Sequence, residues 1–201
     1  MHKSYSFYFL FLLLISQLVS CLATTAPSAV VAGPVGYVDR RASEVIYIDQ
    51  KLEFKTILET QDINENDNLT FVSFNQIVLI TGEVPDEQTR AKVEETVKNI
   101  EGVKEVKNFL LIGMNSSLKS KATDVITTSN VVSRLYFNES KFESKLSPLH
   151  VKVVTERQEV YLMGILNAKE AEDAIEVAKS SKGVKKVIPL FEINDNYQNT
   201  Y

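Results

Sequence analysis

The chain has 201 residues, a formal net charge of −4, one cysteine and two histidines. A single cysteine excludes an intramolecular disulfide, so packing alone must hold the fold, and Cys21 with His2 and His150 cannot supply a His/Cys catalytic triad or a soft-ligand metal cluster. The acidic balance argues against a nucleic-acid partner.

Residues 1–20 read as a secretory signal. Lys3 precedes an apolar run over residues 5–15, broken only by Ser6 and too short for a comfortable membrane span. The run closes on Leu18, Val19, Ser20 and Cys21, a lipobox pattern in which small residues expose the bond to signal peptidase and the Cys21 thiol accepts diacylglycerol. An acylated Cys21 predicts a chain anchored to a membrane and not spanning it. Residues 21–42 are rich in Ala, Thr, Pro and Gly and have little to bury, which predicts a flexible tether. Fully extended, it reaches about 60–70 Å.

In residues 43–115, a helix is expected over 48–58 with Asp49 as its N-cap, followed by a strand over 69–74. Ile77, Val78, Leu79 and Ile80 form a β-branched apolar run closed by Gly82, which predicts a buried strand ending in a turn. Pro85 and Gln88 stand where the next helix starts, and Val93, Val97 and Ile100 give it an apolar stripe at i, i+4 and i+7. Gly102 stands where a left-handed helix cap is wanted, and a valine-rich third strand follows at once.

Residues 116–201 repeat the plan. A helix is expected over 122–136, with Val125, Val132, Leu135 and Tyr136 on one face and Ile126 off it. Over 149–155, Leu149, Val151 and Val153 alternate with His150 and Lys152, a half-buried strand that leaves His150 exposed. The run Val160, Tyr161, Leu162 and Met163 closes on Gly164, and Asn167 with Glu170 forms a capping box. Ala171, Ala174, Ile175 and Ala178 supply the helical stripe, and Gly183 the cap before the last strand. Gln76, Val78 and Gly82 match Gln158, Val160 and Gly164; Gly102, Val103, Val106 and Ile112 match Gly183, Val184, Val187 and Ile193, with one residue fewer between the two groups. The fold class is α+β: two tandem αββαβ modules, each a three-stranded mixed sheet with two helices packed on one face. Whether the modules pack together or move apart is left open.

The halves differ in charge. Residues 43–115 hold 7 Lys and Arg against 14 Asp and Glu, whereas residues 116–201 hold 12 against 11. An anionic surface would tolerate only the second, whose Lys179, Lys182, Lys185 and Lys186 gather around the last helix and turn. Carboxylates such as Glu94, Glu95, Glu172 and Asp173 fall on polar helix faces, and Gly82 and Gly164 are single glycines and not a phosphate loop. No catalytic residue, metal, cofactor or small-molecule substrate is expected.

The two sets Val78, Leu79, Ile80, Thr81, Gly82 with Gly102, Val103, Val106, and Val160, Tyr161, Leu162, Met163, Gly164 with Gly183, Val184, Val187, resemble the mark of the BON domain family, named for bacterial osmotic-shock and nodulation proteins. Gly82, Gly102, Gly164 and Gly183 are then the family's structural glycines. Behind a lipobox, the pair resembles dual-BON outer-membrane lipoproteins, and Leu22, where aspartate would favour inner-membrane retention, fits a periplasm-facing outer-membrane address by the bacterial sorting rule. The resemblance implies lipid contact at the start of the second module's first helix, where relatives carry a Trp before a Thr-Thr pair. Here Val125, Ile126, Thr127 and Thr128 stand there, and the chain has no Trp. The residues expected to meet anionic phospholipid are Val125, Ile126, Thr127, Asn130, Arg134, Lys182, Lys185 and Lys186. The implied role is a non-catalytic protein that supports outer-membrane integrity. The alternative is an adaptor for outer-membrane assembly proteins that uses the bilayer only as an anchor.

Overall fold

Alternation along the strands dictates the architecture of the computed structural model, which describes residues 39–63, 68–113, 117–138, 144 and 146–196. The expected signal over 1–20, Cys21 and most of the tether lie outside the described residues. The first module contains α1 (Ser43–Thr60), β1 (Leu69–Phe74), β2 (Ile77–Val84), α2 (Glu87–Lys98), β3 (Glu105–Asn108) and β4 (Leu111–Ile112). The second contains α3 (Leu118–Asn138), a short 3-10 turn (Pro148–His150), β5 (Lys152–Glu156), β6 (Glu159–Leu166), α4 (Ala168–Lys179) and β7 (Lys186–Ile193). In each module a hairpin pairs antiparallel and the last strand joins parallel to its second strand, giving order β1-β2-β3 and β5-β6-β7. β4 continues the β3 edge: after Phe109 donates to Ile80 O at 2.9 Å, Leu111 and Ile112 pair with Glu83 and Val84. The expected three-stranded mixed sheets are present, the first with its third strand in two segments.

Three cores follow from the period of two. Val78, Ile80 and Val84 on β2 face Val93 and Val97 of α2, and Val160, Leu162 and Leu166 on β6 face Ala171, Ala174, Val177 and Ala178 of α4. The intervening residues point the other way and meet each other: Phe74, Leu79, Tyr161 and Met163 form a third core, with Val72, Ile77, Phe109, Val154, Ile165, Ile188 and Leu190 around it. The modules therefore pack sheet against sheet, with helices on the two outer faces. Both faces of β2 and β6 are covered, which is why these strands read as unbroken apolar runs. Each large side chain fully buried there contributes about 1.5–3 kcal/mol, and the Phe109 and Tyr161 rings meet across the junction at 4.9 Å.

Several local expectations need correction. Gly82 and Gly164 lie inside eight-residue strands and do not end them. A Cβ on Gly82 would stand 1.9 Å from Asn68 O, and one on Gly164 2.4 Å from His150 O, so these glycines admit the neighbouring backbone. α1 begins at Ser43, and Asp49 is buried within it instead of capping it. α2 is capped by Asp86, which accepts from Thr89 N at 2.7 Å, not by the Pro85 and Gln88 pattern. The Asn167 and Glu170 capping box of α4 is present as expected. β5 starts at Lys152; Leu149 and His150 belong to the 3-10 turn. His150 is half-buried, its Nδ1 has no hydrogen-bond partner among the described residues, and burial holds its pKa below the usual histidine range. On α3 the buried stripe is Asp124, Thr127, Val131 and Leu135; Val125 and Tyr136 face outward.

The last residues of the expected tether are docked. Arg40 forms two 2.7 Å bonds to the Glu170 carboxylate, whose side chain is 0% exposed, and a third to Ile165 O. Arg41 pairs with Asp39 and Asp49 and lies 4.1 Å over the Phe74 ring. Further ties join the modules: Lys152 to Glu53 at 2.8 Å, Asn75 to Glu192 at 2.8 Å, and Arg157 to the buried Glu83 at 2.6 Å.

Candidate functional site

The start of α3 is held by its polar inner face. Asp124 accepts from the backbone N–H groups of Arg157 and Gln158 at 3.0 and 2.8 Å, fixing the helix to the β5-β6 turn. Thr127 is 1% exposed and packs on Gly183, where an added Cβ would stand 2.5 Å from its Oγ1. Thr128 Oγ1 donates to Thr155 Oγ1 at 2.8 Å. Asn130 donates to Lys182 O at 3.0 Å, and the Arg134 guanidinium donates to Ser180 O and, at 2.9 Å, to Ser180 Oγ. Gly183 adopts φ +95° in this turn, which connects α4 to β7.

The expected site residues thus divide. Thr127 is covered, and Asn130 and Arg134 tie the lysine-bearing turn to α3. Val125 and Ile126, 67% and 61% exposed, stand side by side on the outer surface. Lys182, Lys185 and Lys186 are exposed nearby, Lys186 lying 3.5 Å from Glu159. The result is an apolar pair beside a basic turn, held by the buried Thr127 and by the half-buried Asn130 and Arg134.

Sequence reasoning missed three features. Leu118 is the most exposed large apolar residue described and stands two turns before Val125, a seven-residue spacing that was available to be read. On the opposite outer face, α1 exposes Tyr47, Phe54, Ile57 and Leu58, again with a seven-residue step from Tyr47 to Phe54. Finally, Glu156 lies half-buried at the module junction, where burial first, then Glu83 and Asp124, raise its pKa to about 7. No local pattern marks it, because its neighbours come from distant segments.

Among the described residues, no group of three or more His, Cys, Asp or Glu could hold a metal ion, and no helix is long and apolar enough to cross a membrane. The fold is that of a duplicated αββαβ protein whose second module exposes an apolar pair beside a basic turn. The BON domain matches residues 50–114 and 123–195, and the chain belongs to that family. It is 30% identical over 181 residues to the outer membrane lipoprotein DolP of Haemophilus influenzae, covering 89% of this chain and 91% of that protein. It is 29% identical over 156 residues to the 21 kDa hemolysin of Actinobacillus pleuropneumoniae, covering 76% and 78%. A solved structure of CdsD, a structural protein of the Chlamydia trachomatis type III secretion system, covers 68% of this chain and 91% of its own at 11% identity, with a TM-score of 0.25, too low to bear on the fold.

Proposed function

We propose that this is a non-catalytic outer-membrane lipoprotein, anchored through acylated Cys21 on the periplasmic face, whose second module docks on anionic phospholipid and supports membrane integrity. The observation that carries the reading is the pairing of Val125 and Ile126 with the Lys182 and Lys185 turn on one outer surface. Each lysine near an anionic leaflet adds about 1 kcal/mol, and burying an aliphatic pair at the interface adds to it. Weak docking suffices, because an acyl anchor makes the second contact intramolecular. The likeness to DolP supports the address. Flotation of the chain carrying Cys21→Ser with vesicles of phosphatidylcholine and phosphatidylglycerol tests the docking: salt-sensitive binding that falls with Ile126→Glu is expected, and binding unchanged by that substitution contradicts it.

A second reading is favoured by the α1 stripe. Tyr47, Phe54, Ile57 and Leu58 form an exposed apolar face on the acidic module, on the side away from α3. An anionic bilayer repels that module, so the fitting partner is a protein of the envelope assembly machinery, with the bilayer used only for anchoring. A discrete protein crosslink from position 54, abolished by Ile57→Lys and accompanied by no lipid contact at Ile126, would favour it over the first.

A further inference from the structure

The junction of the modules encloses a polar cleft of about 220 Å³, walled by Asn68 and Thr70 of the first module and by Lys121, Thr128, Thr155 and Glu156 of the second. Val125, most of whose surface is exposed, forms part of the same wall, so the cleft adjoins the apolar face assigned above to lipid.

Most polar groups in the cleft are already engaged. Asp124, which also lines it, spends its two oxygens on the N–H groups of Arg157 and Gln158. The Thr128 and Thr155 hydroxyls bond each other, and Asn68 donates to the buried Glu83, which in turn holds Arg157. Two charged groups stand apart. Neither the Glu156 carboxylate nor the Lys121 ammonium makes a hydrogen bond or an ion pair within 4 Å among the described residues. Arg157 and Lys121 act on Glu156 only at a distance, and their pull does not offset burial and the like charges of Glu83 and Asp124. Among the described residues Glu156 therefore lacks a close cation, and Lys121 a close anion.

A ligand that satisfies both must carry an N–H cation and an anion a short distance apart. An anionic glycerol headgroup would answer Lys121 and leave Glu156 facing a like charge. A choline headgroup carries a cation with no N–H to donate. A primary ammonium two carbons from a phosphate answers both, with its acyl chains leaving past Val125 towards Ile126 and Leu118. Building on the proposed phospholipid docking, we infer that the cleft seats the phosphoethanolamine headgroup of a phospholipid, its ammonium on Glu156 and its phosphate on Lys121. The lysine turn then draws the protein to an anionic surface, and the cleft selects a zwitterionic lipid within it.

Binding of the whole chain with Cys21→Ser to three vesicle types tests this: phosphatidylcholine alone, or mixed with phosphatidylethanolamine, or mixed with phosphatidylglycerol. Phosphatidylethanolamine is expected to raise affinity about tenfold over phosphatidylcholine. Glu156→Gln and Lys121→Gln, each checked for an unchanged circular dichroism spectrum, should each abolish that gain, and Glu156→Gln should leave phosphatidylglycerol binding intact. No gain from phosphatidylethanolamine, or a gain that survives Glu156→Gln, overturns the assignment while the anionic docking stands. Failure on phosphatidylglycerol vesicles as well overturns both. If soluble glycerophosphoethanolamine shifts the Thr128 and Thr155 amide resonances but the vesicles show no preference, the cleft serves a free zwitterion and the lipid assignment is wrong.

Discussion

Asp49 and Asp124 do the same work in the two modules. Each projects from the inner face of its module's first helix, and its carboxylate accepts both N–H groups of the hairpin turn: Asn75 and Gln76 at 2.8 and 2.7 Å, Arg157 and Gln158 at 3.0 and 2.8 Å. All four turn residues have positive φ, between 50° and 68°, although none is glycine. Such turns normally recruit glycine or asparagine, and of the four only Asn75 is either; the buried carboxylate that collects the turn amides stabilises the conformation for Gln76, Arg157 and Gln158.

Asp124→Ala is expected to destabilise the protein by about 2–4 kcal/mol, the loss of two charge-assisted bonds with the turn left strained. Asp49→Ala should cost more, because Asp49 also accepts from Ser73 Oγ and pairs with Arg41. Urea denaturation of the two variants checks the order, and equal small losses would refute the shared role.

The site at which a shortened chain begins should decide its stability. A chain starting at residue 43 lacks Arg40 and Arg41: among the described residues it leaves the buried Glu170 with only its capping contact to Asn167 N at 2.9 Å, and it removes the Arg41 partner of the buried Asp49. Stranding a buried charge costs about 3–5 kcal/mol, so that chain should melt well below one starting at residue 39. Glu170→Gln should recover the part of the difference due to Glu170 and leave the part due to Arg41, since glutamine keeps the capping box without the charge. Thermal melts of the three chains give the comparison.

Stability should fall as pH rises through about 7. Folding lifts Glu156 from its ordinary 4.5 to about 7, so the folded state binds the extra proton between those values and loses that advantage above them. His150 opposes this at the acid end, since its lowered pKa means that folding releases a proton below about 6.5. Glu156→Gln should flatten the fall in stability between about pH 4.5 and 7 and change little above it, as read by denaturation midpoints across that range.

On the outer face, Val125→Glu and Ile126→Glu should lower affinity for anionic vesicles at least tenfold, equivalent to about 1.4 kcal/mol each. Both residues are exposed, so their denaturation midpoints should hardly move. Thr127→Glu, by contrast, should impair folding, because its site is closed against Gly183.

Much of the fold was legible because both copies carry the same glycines and valines and because Asn167 with Glu170 is a local cap. The faces of the helices were harder to read. Counting only apolar residues placed Val125 and Tyr136 inward, whereas the buried stripe of α3 runs through Asp124 and Thr127, whose burial is justified by partners far away in sequence. The same holds for Asp49. Likewise, the packing of sheet on sheet was present in the unbroken runs of β2 and β6, but a run buried on both faces does not say what covers the second face. Of the candidate site, the exposure of Ile126 and of the lysines was readable, whereas that of Val125 was not. The positioning roles of Asn130 and Arg134 were not, since their acceptors lie on the turn after α4.

The most direct measurement of lipid docking is attenuation of amide resonances in the chain with Cys21→Ser on titration with anionic vesicles, against neutral vesicles as reference. The account predicts losses centred on Leu118, Val125, Ile126 and Lys182, reversed by salt. Losses centred on Tyr47, Phe54 and Leu58, or none at all, would contradict it.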